Sequence, residues 1–268
     1  MVHDVQYSSW RTPVRANPIR LKWQANEPVV NGWLSIPHAF VAETMAHQGW
    51  DSLTIDMQHG AVDYQGAFNL LTAISTTQCA PIVRVPWLDP AALMKVLDAG
   101  AYGVICPMIS NRAEAETFIG ATTYPPRGQR SYGPIRGLLY GGPDYASQAD
   151  ETIVRFAMIE TKEALDNLDE ILSVDGLDAV YVGPADLSRA LGCEPRFDQE
   201  TPIVVEAIDH ILACATAAGK PAGIHNGTAA YAKCMIEKGF RFVTIGSDAR
   251  FIANGSRAAL EEIRRVPT

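Results

Sequence analysis

Residues 80–108 decide the fold of this chain and read APIVRVPWLDPAALMKVLDAGAYGVICPM. The stretch begins with an apolar run typical of a buried strand, continues with helical spacing, and ends in a second apolar run. Asp89 and Pro90 are preferred at the N-cap and in the first turn of a helix, and Gly100 suits the left-handed position after its end. The stretch therefore predicts a strand–helix–strand unit, with its helix over residues 90–99.

The same alternation recurs along the rest of the chain. Near-continuous Val and Ile runs are typical of parallel strands that are covered on both faces. Eight such units predict a single (β/α)8 TIM barrel, with a doubly wound open sheet as the alternative. The strand candidates begin at Val30, Ser52, Ala80, Tyr102, Arg155, Ala179, Pro221 and Phe240. The helical patterns cover residues 38–48, 64–77, 90–99, 112–121, 162–173, 202–218, 229–238 and 252–265.

The length of 268 residues fits one barrel of about 250 residues. We expect residues 1–26 to form a loose N-terminal tail, because Pro13 and Pro18 interrupt helical spacing there, and residues 27–268 to form the barrel domain. Residues 120–151 break the repeat and are rich in Pro and Gly. We expect this insertion to lack regular elements and to form an ordered flap or a subunit contact.

Composition and charge exclude several classes of function. With 47% hydrophobic and 19% charged residues, the chain has the composition of a soluble globular protein. A net charge of −8 has the wrong sign for contacts with a phosphate backbone, so we expect no nucleic-acid partner. No run approaches the roughly 18 apolar residues of a membrane span, and the N-terminus lacks a secretory pattern, so we expect a cytoplasmic protein with no membrane partner.

Polar residues follow several predicted strands, at the end of a TIM barrel where active sites lie. Glu160 and Asp186 come from adjacent strands. With water or substrate oxygens they suit an octahedral hard cation, which predicts Mg²⁺ or Mn²⁺. The other polar residues at strand ends are Asp56, His59, Arg84, His225 and Asn226.

Each of these residues also has a structural interpretation. Asp186 can be the N-cap of the helix that follows it, and Glu160 can pair with Arg84 in a structural ion pair. Asp56 can simply orient His59 or a neighbouring amide. No lysine interrupts a strand end as a Schiff-base lysine would, and no nucleotide-binding or serine-hydrolase motif is present, so the metal is the expected electron sink.

Five motifs together resemble the HpcH/HpaI class II aldolases, metal-dependent pyruvate aldolases of the phosphoenolpyruvate/pyruvate barrel superfamily. The resemblance covers about residues 30–266. The motifs are IDMQHG at residues 55–60, VRVPWLDPAALMKVLDAGAYGVICPM at 83–108, YPPRGQR at 124–130, MIET at 158–161 and VGPADLS at 182–188.

The resemblance implies reversible cleavage of a 4-hydroxy-2-oxo acid to pyruvate and an aldehyde through a metal-bound pyruvate enolate. Glu160 and Asp186 match the metal ligands of the family, for which Mg²⁺, Mn²⁺ or Co²⁺ is expected. His59 matches the catalytic base, which removes the proton of the 4-hydroxyl group. Arg84 matches the residue that stabilises the enolate and the developing oxyanion.

Further matches concern the neighbourhood of the base and of the substrate. Asp98 matches an acid that a neighbouring subunit supplies to raise the basicity of the catalytic histidine, and the backbone of Ala185 matches a contact to pyruvate. Asp56 is a further candidate catalytic residue, and Trp33 is a candidate substrate contact. The family also implies a homohexamer built from dimers that exchange the last helix, here residues 252–265, with active sites at subunit interfaces.

Three departures from the family pattern bear on the substrate. Gln58 stands where Glu is common, Met158 where Gln is common, and His225 where an aliphatic residue is common. Met158 and His225 therefore join the candidate substrate contacts. These changes leave the predicted metal ligands and base intact, so the sequence predicts the reaction class without naming the aldehyde.

Two other functions remain open from the sequence. A citrate-lyase-β-like acyl-CoA ester lyase requires a basic surface for coenzyme A, and the cluster of Arg127, Arg130 and Arg136 is its candidate. A non-catalytic metabolite-binding barrel predicts a damaged ligand set, whereas both carboxylates, the histidine and the arginine are present.

Overall fold

A computed structural model describes residues 14–265 and shows a closed barrel of eight parallel strands. Each strand pairs with the next along the chain, and the last pairs with the first, where Asn31 lies opposite Thr244. The prediction of a (β/α)8 barrel is confirmed, and the open-sheet alternative is wrong. The strands are β1 Val29–Leu34, β2 Ser52–Asp56, β3 Ala80–Arg84, β4 Gly103–Cys106, β5 Val154–Ile159, β6 Ala179–Val182, β7 Ala222–Asn226 and β8 Phe242–Ile245.

Helices follow the strands and cover the outside of the barrel. In chain order the described helices are α1 Pro18–Gln24, α2 Ala39–Ala46, α3 Tyr64–Ile74, α4 Pro90–Asp98, α5 Arg112–Thr122, α6 Ile135–Gly141, α7 Tyr145–Thr152, α8 Lys162–Asp166, α9 Leu168–Leu172, α10 Pro184–Ala190, α11 Pro202–Ala217, α12 Ala229–Lys238 and α13 Asp248–Arg264. Six of them begin at the predicted residue. Side-chain caps explain much of this agreement, since Asp63, Asp89, Asn111 and Thr228 each accept a backbone hydrogen bond from the first turn that follows.

The N-terminal segment contains a helix where we expected a loose tail. Pro18 is the first residue of α1, where its missing N–H is not needed, so it starts the helix instead of interrupting it. Asn17 caps α1 and also donates hydrogen bonds to the carbonyl oxygens of Tyr102 and Thr152. Ile19 is fully buried. Pro13 lies outside the described residues.

The insertion over residues 120–151 contains α6 and α7, so the expectation that it lacks regular elements was wrong. Its glycines allow close packing: a Cβ on Gly141 would lie 2.6 Å from Cδ2 of Tyr145, which is itself fully buried. The prediction that the segment is ordered is confirmed. Ile135 and Leu139 in this segment are apolar and exposed, and the expected contact with another subunit stays a prediction.

The last helix leaves the barrel soon after it begins. Asp248, the first residue of α13, is fully buried and accepts hydrogen bonds from Ser35 and Ile36, which follow β1. In contrast, residues 251–265 are all exposed. Within residues 14–265, no helix is long and apolar enough to cross a membrane.

Candidate active site

A cavity of about 350 Å³ opens at the carboxyl end of the barrel. Its walls come from the ends of β1, β3, β5 and β7 and from the loops after β2, β6 and β8, where the sequence analysis placed the ring of polar residues. The predicted residues in its lining are Trp33, His59, Arg84, Met158, Ala185, Asp186 and His225. Phe197, Gly246, Ser247 and Arg250 also line it, and none of these belongs to a motif that the sequence analysis used.

Arg84 is held at the floor of the site by Asp56, and the two residues lie opposite each other in the β2–β3 register. Arg84 Nε donates to Asp56 Oδ1 over 2.9 Å, and Nη2 donates to Oδ2 over 2.7 Å. Both side chains are buried. Burial alone would raise the pKa of Asp56, but the hydrogen bonds and charge of Arg84 hold it below its usual value.

Trp33 completes this cluster. Its indole Nε1 donates to Asp56 Oδ2 over 3.1 Å, and its ring lies 4.8 Å from the Arg84 guanidinium carbon. Glu160 makes no ion pair with Arg84, so that structural interpretation was wrong: Asp56 is the register partner of Arg84 and takes the edge of its guanidinium formed by Nε and Nη2.

His59 lies in the turn after β2, and its side chain is exposed to the cavity. Asp56 Oδ1 accepts hydrogen bonds from the backbone N–H groups of Gln58, at 3.0 Å, and His59, at 3.3 Å. Asp56 therefore shapes the turn through neighbouring amides, as one of its structural interpretations expected. The same carboxylate positions both the arginine and the backbone of the histidine.

Glu160, directly after β5, is the most buried carboxylate of the site, at 2% exposure. Its Oε1 accepts a hydrogen bond from the backbone N–H of Met108 over 2.8 Å, and Met108 has a φ of +58°, which is rare for a residue with a side chain. Its Oε2 is buried and has no hydrogen-bond partner among the described residues. Burial and the negative charge of Asp186 raise the pKa of Glu160 to about 7, against the opposing effects of Met108 and Arg84.

Asp186 lies in the first turn of α10, which begins at Pro184 and so two residues before the position at which Asp186 was considered as its N-cap. Gly183 is the N-cap, so the interpretation of Asp186 as a cap was wrong; Pro184 in the first turn is the signal that could have placed the helix. A Cβ on Gly183 would lie 2.5 Å from Glu160 Oε2 and 2.6 Å from Met158 Cε. Glycine is therefore needed here for the carboxylate to occupy its place.

These two carboxylates fit a divalent metal ion. Oε2 of Glu160 is buried and has no partner in the part of the chain that the structure describes, and the pKa of this carboxyl group is raised by burial and by the charge of Asp186. A bound cation would compensate the negative charge of both carboxylates. Among residues 14–265 no cluster of three or more metal-ligating side chains occurs. A metal held by Glu160 and Asp186 would therefore keep several positions for water and substrate oxygens, which is the coordination that Mg²⁺ prefers.

Asp98 does not line the cavity of its own chain. It is the last residue of α4, and its Oδ1 accepts a hydrogen bond from Arg130 Nη2 over 2.8 Å. Burial raises the pKa of Asp98, although Arg130 opposes this. The resemblance implies that Asp98 acts on the catalytic histidine of a neighbouring subunit, and this role stays a prediction.

The barrel and the residues at its carboxyl end define the class of protein: a TIM-barrel enzyme whose site combines two carboxylates, an arginine and a histidine around a small cavity. The model of the family "HpcH/HpaI aldolase/citrate lyase" matches residues 31–255, and the chain belongs to this family. It is an aldolase, a carbon–carbon lyase.

Individual relatives agree with this assignment. The chain is 45% identical to the hydroxypyruvate/pyruvate aldolase of Rhizorhabdus wittichii over 93% of this chain and all of the relative. It is 37% identical to the 4-hydroxy-2-oxo-heptane-1,7-dioate aldolase of Salmonella dublin over 88% of this chain and 90% of the relative. Among solved structures, an HpcH/HpaI aldolase/citrate lyase family protein from Burkholderia cenocepacia superposes with a TM-score of 0.87 at 31% identity, over 93% of this chain and all of the other.

Proposed function

We propose that this chain catalyses the reversible, divalent-metal-dependent cleavage of a 4-hydroxy-2-oxo acid to pyruvate and an aldehyde. The observation that carries the proposal is the unpartnered, buried Oε2 of Glu160, which lies behind Gly183 in the wall of the cavity that Asp186, His59 and Arg84 line. The names of the two curated relatives, both aldolases of oxo acids, support it.

Glu160 and Asp186 would hold the metal ion. When bound, the metal supplies a Lewis acid that draws electron density from the keto group of pyruvate. The protein's contribution is the position of the carboxylates: Met108 fixes one oxygen of Glu160, and Gly183 leaves room for the other. The first turn of α10 places Asp186 and the backbone of Ala185 on the same wall of the cavity.

Arg84 supplies a fixed positive charge to the keto oxygen. Because Asp56 takes the edge formed by Nε and Nη2, the remaining nitrogen, Nη1, points away from that carboxylate. Nη1 makes no hydrogen bond within the described part of the chain, and Arg84 lines the cavity. This nitrogen is available to donate to the substrate oxygen on which negative charge develops.

His59 moves the proton. Its side chain reaches the cavity from the β2 turn, on the same side as Arg84, so it can remove the proton of the 4-hydroxyl group as the bond between the third and fourth carbons breaks. The same proton, directly or through water, then goes to the third carbon, which becomes the methyl group of pyruvate; in the synthetic direction His59 takes a methyl proton and returns it to the new hydroxyl. We also propose that Asp98 of a neighbouring subunit acts on this histidine.

The structure offers little for the acyl-CoA alternative, because the three arginines considered for it do not form a basic surface. Arg127 pairs with Asp150 and Glu151, and Arg130 is buried against Asp98. Arg136 is buried and donates to the carbonyl oxygens of Leu71 and Ala99 and to Ser75 Oγ. The aldolase reaction therefore remains the function that this site supports best.

We further propose a homohexamer in which dimers exchange α13. The apolar residues Ile252, Leu260 and Ile263 lie on one face of this helix, and all are more than half exposed in the single chain. An apolar helix face with no cover in its own chain is typical of a subunit contact.

The test is exchange of the pyruvate methyl protons with D₂O, followed by NMR in chelated protein and after Mg²⁺ is restored. We expect metal-dependent exchange that is abolished in Glu160→Ala and strongly reduced in His59→Ala. Lys238→Ala, which removes an exposed pair with Asp209 at the amino end of the barrel strands, is the matched control and should exchange as the wild type does. Absence of exchange with every divalent metal would contradict the proposed function.

A further inference from the structure

A buried chain of hydrogen bonds crosses the barrel interior and ends at His225 in the cavity wall. Asn31 Oδ1 accepts from Ser52 and Thr54, and Asn31 Nδ2 donates to Thr244 Oγ1 over 2.9 Å. The Tyr181 hydroxyl also donates to Thr244 Oγ1, over 2.7 Å. Thr244 therefore accepts two hydrogen bonds, and the proton of Tyr181 is committed to it.

This chain determines which nitrogen of His225 carries the proton. The Tyr181 oxygen lies 3.1 Å from His225 Nδ1. Because the proton of Tyr181 points to Thr244, its oxygen can only accept from His225, which requires a proton on Nδ1. In a neutral imidazole the other nitrogen, Nε2, then carries a lone pair and no proton.

His225 stays neutral in this environment. Burial, and secondarily the positive charge of Arg84, lower the pKa of His225 to about 3. The ring is confined between Trp33, at a centroid distance of 4.9 Å, and Phe197, at 4.8 Å. Nε2 makes no hydrogen bond within residues 14–265, yet the ring lines the cavity. A fixed neutral acceptor thus faces the space where substrate binds.

His225 lies on β7, next to β6 in the barrel, so it stands on the other side of Asp186 from Glu160, which follows β5. Under the proposed function, Arg84 at the end of β3, Glu160 after β5 and Asp186 after β6 hold the pyruvate half of the substrate. The aldehyde half is then left with the side formed by His225, Phe197 and the loop after β8. The polar side chains of these walls are His225, Arg250 and Ser247, and the hydroxyl of Ser247 already accepts a hydrogen bond from the backbone N–H of Arg250 as the N-cap of α13.

We propose that Nε2 of His225 accepts a hydrogen bond from a hydroxyl group of the aldehyde, so that the enzyme selects hydroxyaldehydes over alkyl aldehydes of the same size. This inference rests on the proposed aldolase function and names its substrate class. His225 acts as a specificity-determining residue, and Tyr181 is a positioning residue that fixes the tautomer of His225. An acceptor at this position discriminates, because an alkyl group would leave it desolvated without a partner.

The test compares glycolaldehyde with propionaldehyde, in which a methyl group replaces the hydroxyl, at saturating pyruvate and Mg²⁺. We expect wild-type kcat/KM to favour glycolaldehyde by roughly tenfold, from about one hydrogen bond, and His225→Leu to lose that preference. The ratio is measured on one protein at a time, so a general loss of activity cancels. An unchanged ratio in His225→Leu, or a wild-type preference for propionaldehyde, would overturn the inference.

A second measurement needs no aldehyde and no cavity variant. In ¹⁵N-histidine-labelled protein, long-range ¹H–¹⁵N NMR should show His225 Nε2 as unprotonated, and Tyr181→Phe should shift the ring towards the other tautomer. A protonated Nε2 in the wild type would overturn the inference. Failure of the aldolase function itself is separately visible, since it removes pyruvate exchange from the wild type, whereas failure of this inference leaves that exchange in place.

Discussion

Arg84 and Asp56 face each other across the β2–β3 register and form two hydrogen bonds, of 2.9 and 2.7 Å, on one edge of the guanidinium. The pair is buried beneath Trp33, which donates a third hydrogen bond to the same carboxylate. This arrangement neutralises the arginine from one side and aims its remaining nitrogen at the cavity. The pair thus holds the positive charge of the site in a fixed position between two neighbouring strands of the barrel.

Asp56→Asn should destabilise the protein by about 3 kcal/mol, because it leaves Arg84 as a buried, uncompensated charge. The pKa of Asp56 is held below its usual value, so this stabilisation is present above pH 3.8 and is lost as the pH falls through the depressed pKa in the folded state. Urea denaturation at pH 7 measures the effect. Glu116→Gln breaks an exposed pair and should change stability by less than about 0.5 kcal/mol. Equal effects of the two variants would contradict the prediction.

Arg84→Lys should lower kcat/KM for aldol cleavage by about a hundredfold or more. A lysine has one ammonium group, which cannot pair with Asp56 along one edge and donate to the substrate from another. A lactate dehydrogenase-coupled assay of pyruvate release measures the loss. Arg112→Lys, on the exposed face of α5, keeps wild-type activity. Recovery of full activity in Arg84→Lys would show that charge alone suffices.

Glu160→Gln should stabilise the metal-free protein at high pH. The pKa of Glu160 is raised from 4.5 to about 7, so the folded protein holds a proton that the unfolded chain has lost, and wild-type stability falls as the pH rises from about 4.5 through 7. At pH 8 in EDTA, Glu160→Gln should exceed the wild type by on the order of 3 kcal/mol, and the difference should vanish below pH 4.5. Urea denaturation across this pH range provides the measurement.

Mg²⁺ should reverse that order. It should raise wild-type stability by about 4.1 kcal/mol at a thousand times its Kd, which exceeds the deficit of about 3 kcal/mol, and leave Glu160→Gln unchanged. A variant that is less stable than the wild type in EDTA at pH 8 would argue against an uncompensated carboxylate at this position.

Gly183→Ala should weaken Mn²⁺ binding at least tenfold. The backbone φ of −98° at Gly183 is open to alanine, so the effect comes from the new methyl group, which would meet Glu160 Oε2 and Met158. Isothermal titration calorimetry measures the affinity. Gly120→Ala is the matched control, because nothing lies within 4 Å of its added Cβ and it lies within α5, where alanine is favoured. If both variants bind Mn²⁺ as the wild type does, Gly183 has no role in shaping the site.

Ile263→Asp should lower the molar mass of the assembly in solution, because it places a charge on the apolar face of α13 that we propose a second subunit covers. Light scattering coupled to size exclusion measures the mass. Asn254→Asp adds the same charge about 200° around the helix from Ile252 and should leave the assembly intact. An unchanged mass in Ile263→Asp would contradict the proposed exchange of α13.

The eight strands were predictable because each is short and almost entirely buried. A strand that is buried on both faces consists of a near-continuous run of apolar residues, which can be recognised in the sequence. The start of the short helix α10 was misplaced, because Asp186 was considered as its N-cap whereas Gly183 takes that position. The helix α6 was missed because Gly137 and Gly141, which signal a loop locally, serve to pack against Tyr145 at the start of α7. Tertiary packing overrode local propensity at these positions.

Within the site, the polar residues could be predicted from the sequence, but the hydrogen bonds between them could not. The Arg84–Asp56 contact depends on strand register, and the Glu160–Met108 contact depends on a positive φ at Met108, and neither has a mark in the sequence. Phe197 reaches the cavity from the loop between α10 and α11, and Arg250 reaches it from the first turn of α13. The tautomer of His225 follows from Asn31 and Thr244, which are adjacent only because the barrel closes.

Asp248 connects the closure of the barrel to the position of α13, the helix that we propose takes part in assembly. Its carboxylate accepts hydrogen bonds from Ser35 and Ile36 after β1 and from Ala249 in α13, at the seam where β8 meets β1. Before β1 and β8 pair, Ser35 and Ile36 are not in position to donate hydrogen bonds to Asp248. The direction of α13 relative to the barrel is then not fixed. If α13 is exchanged as we propose, each subunit becomes competent to recruit a neighbour only after its own ring is complete, and oligomerisation then acts as a checkpoint on folding.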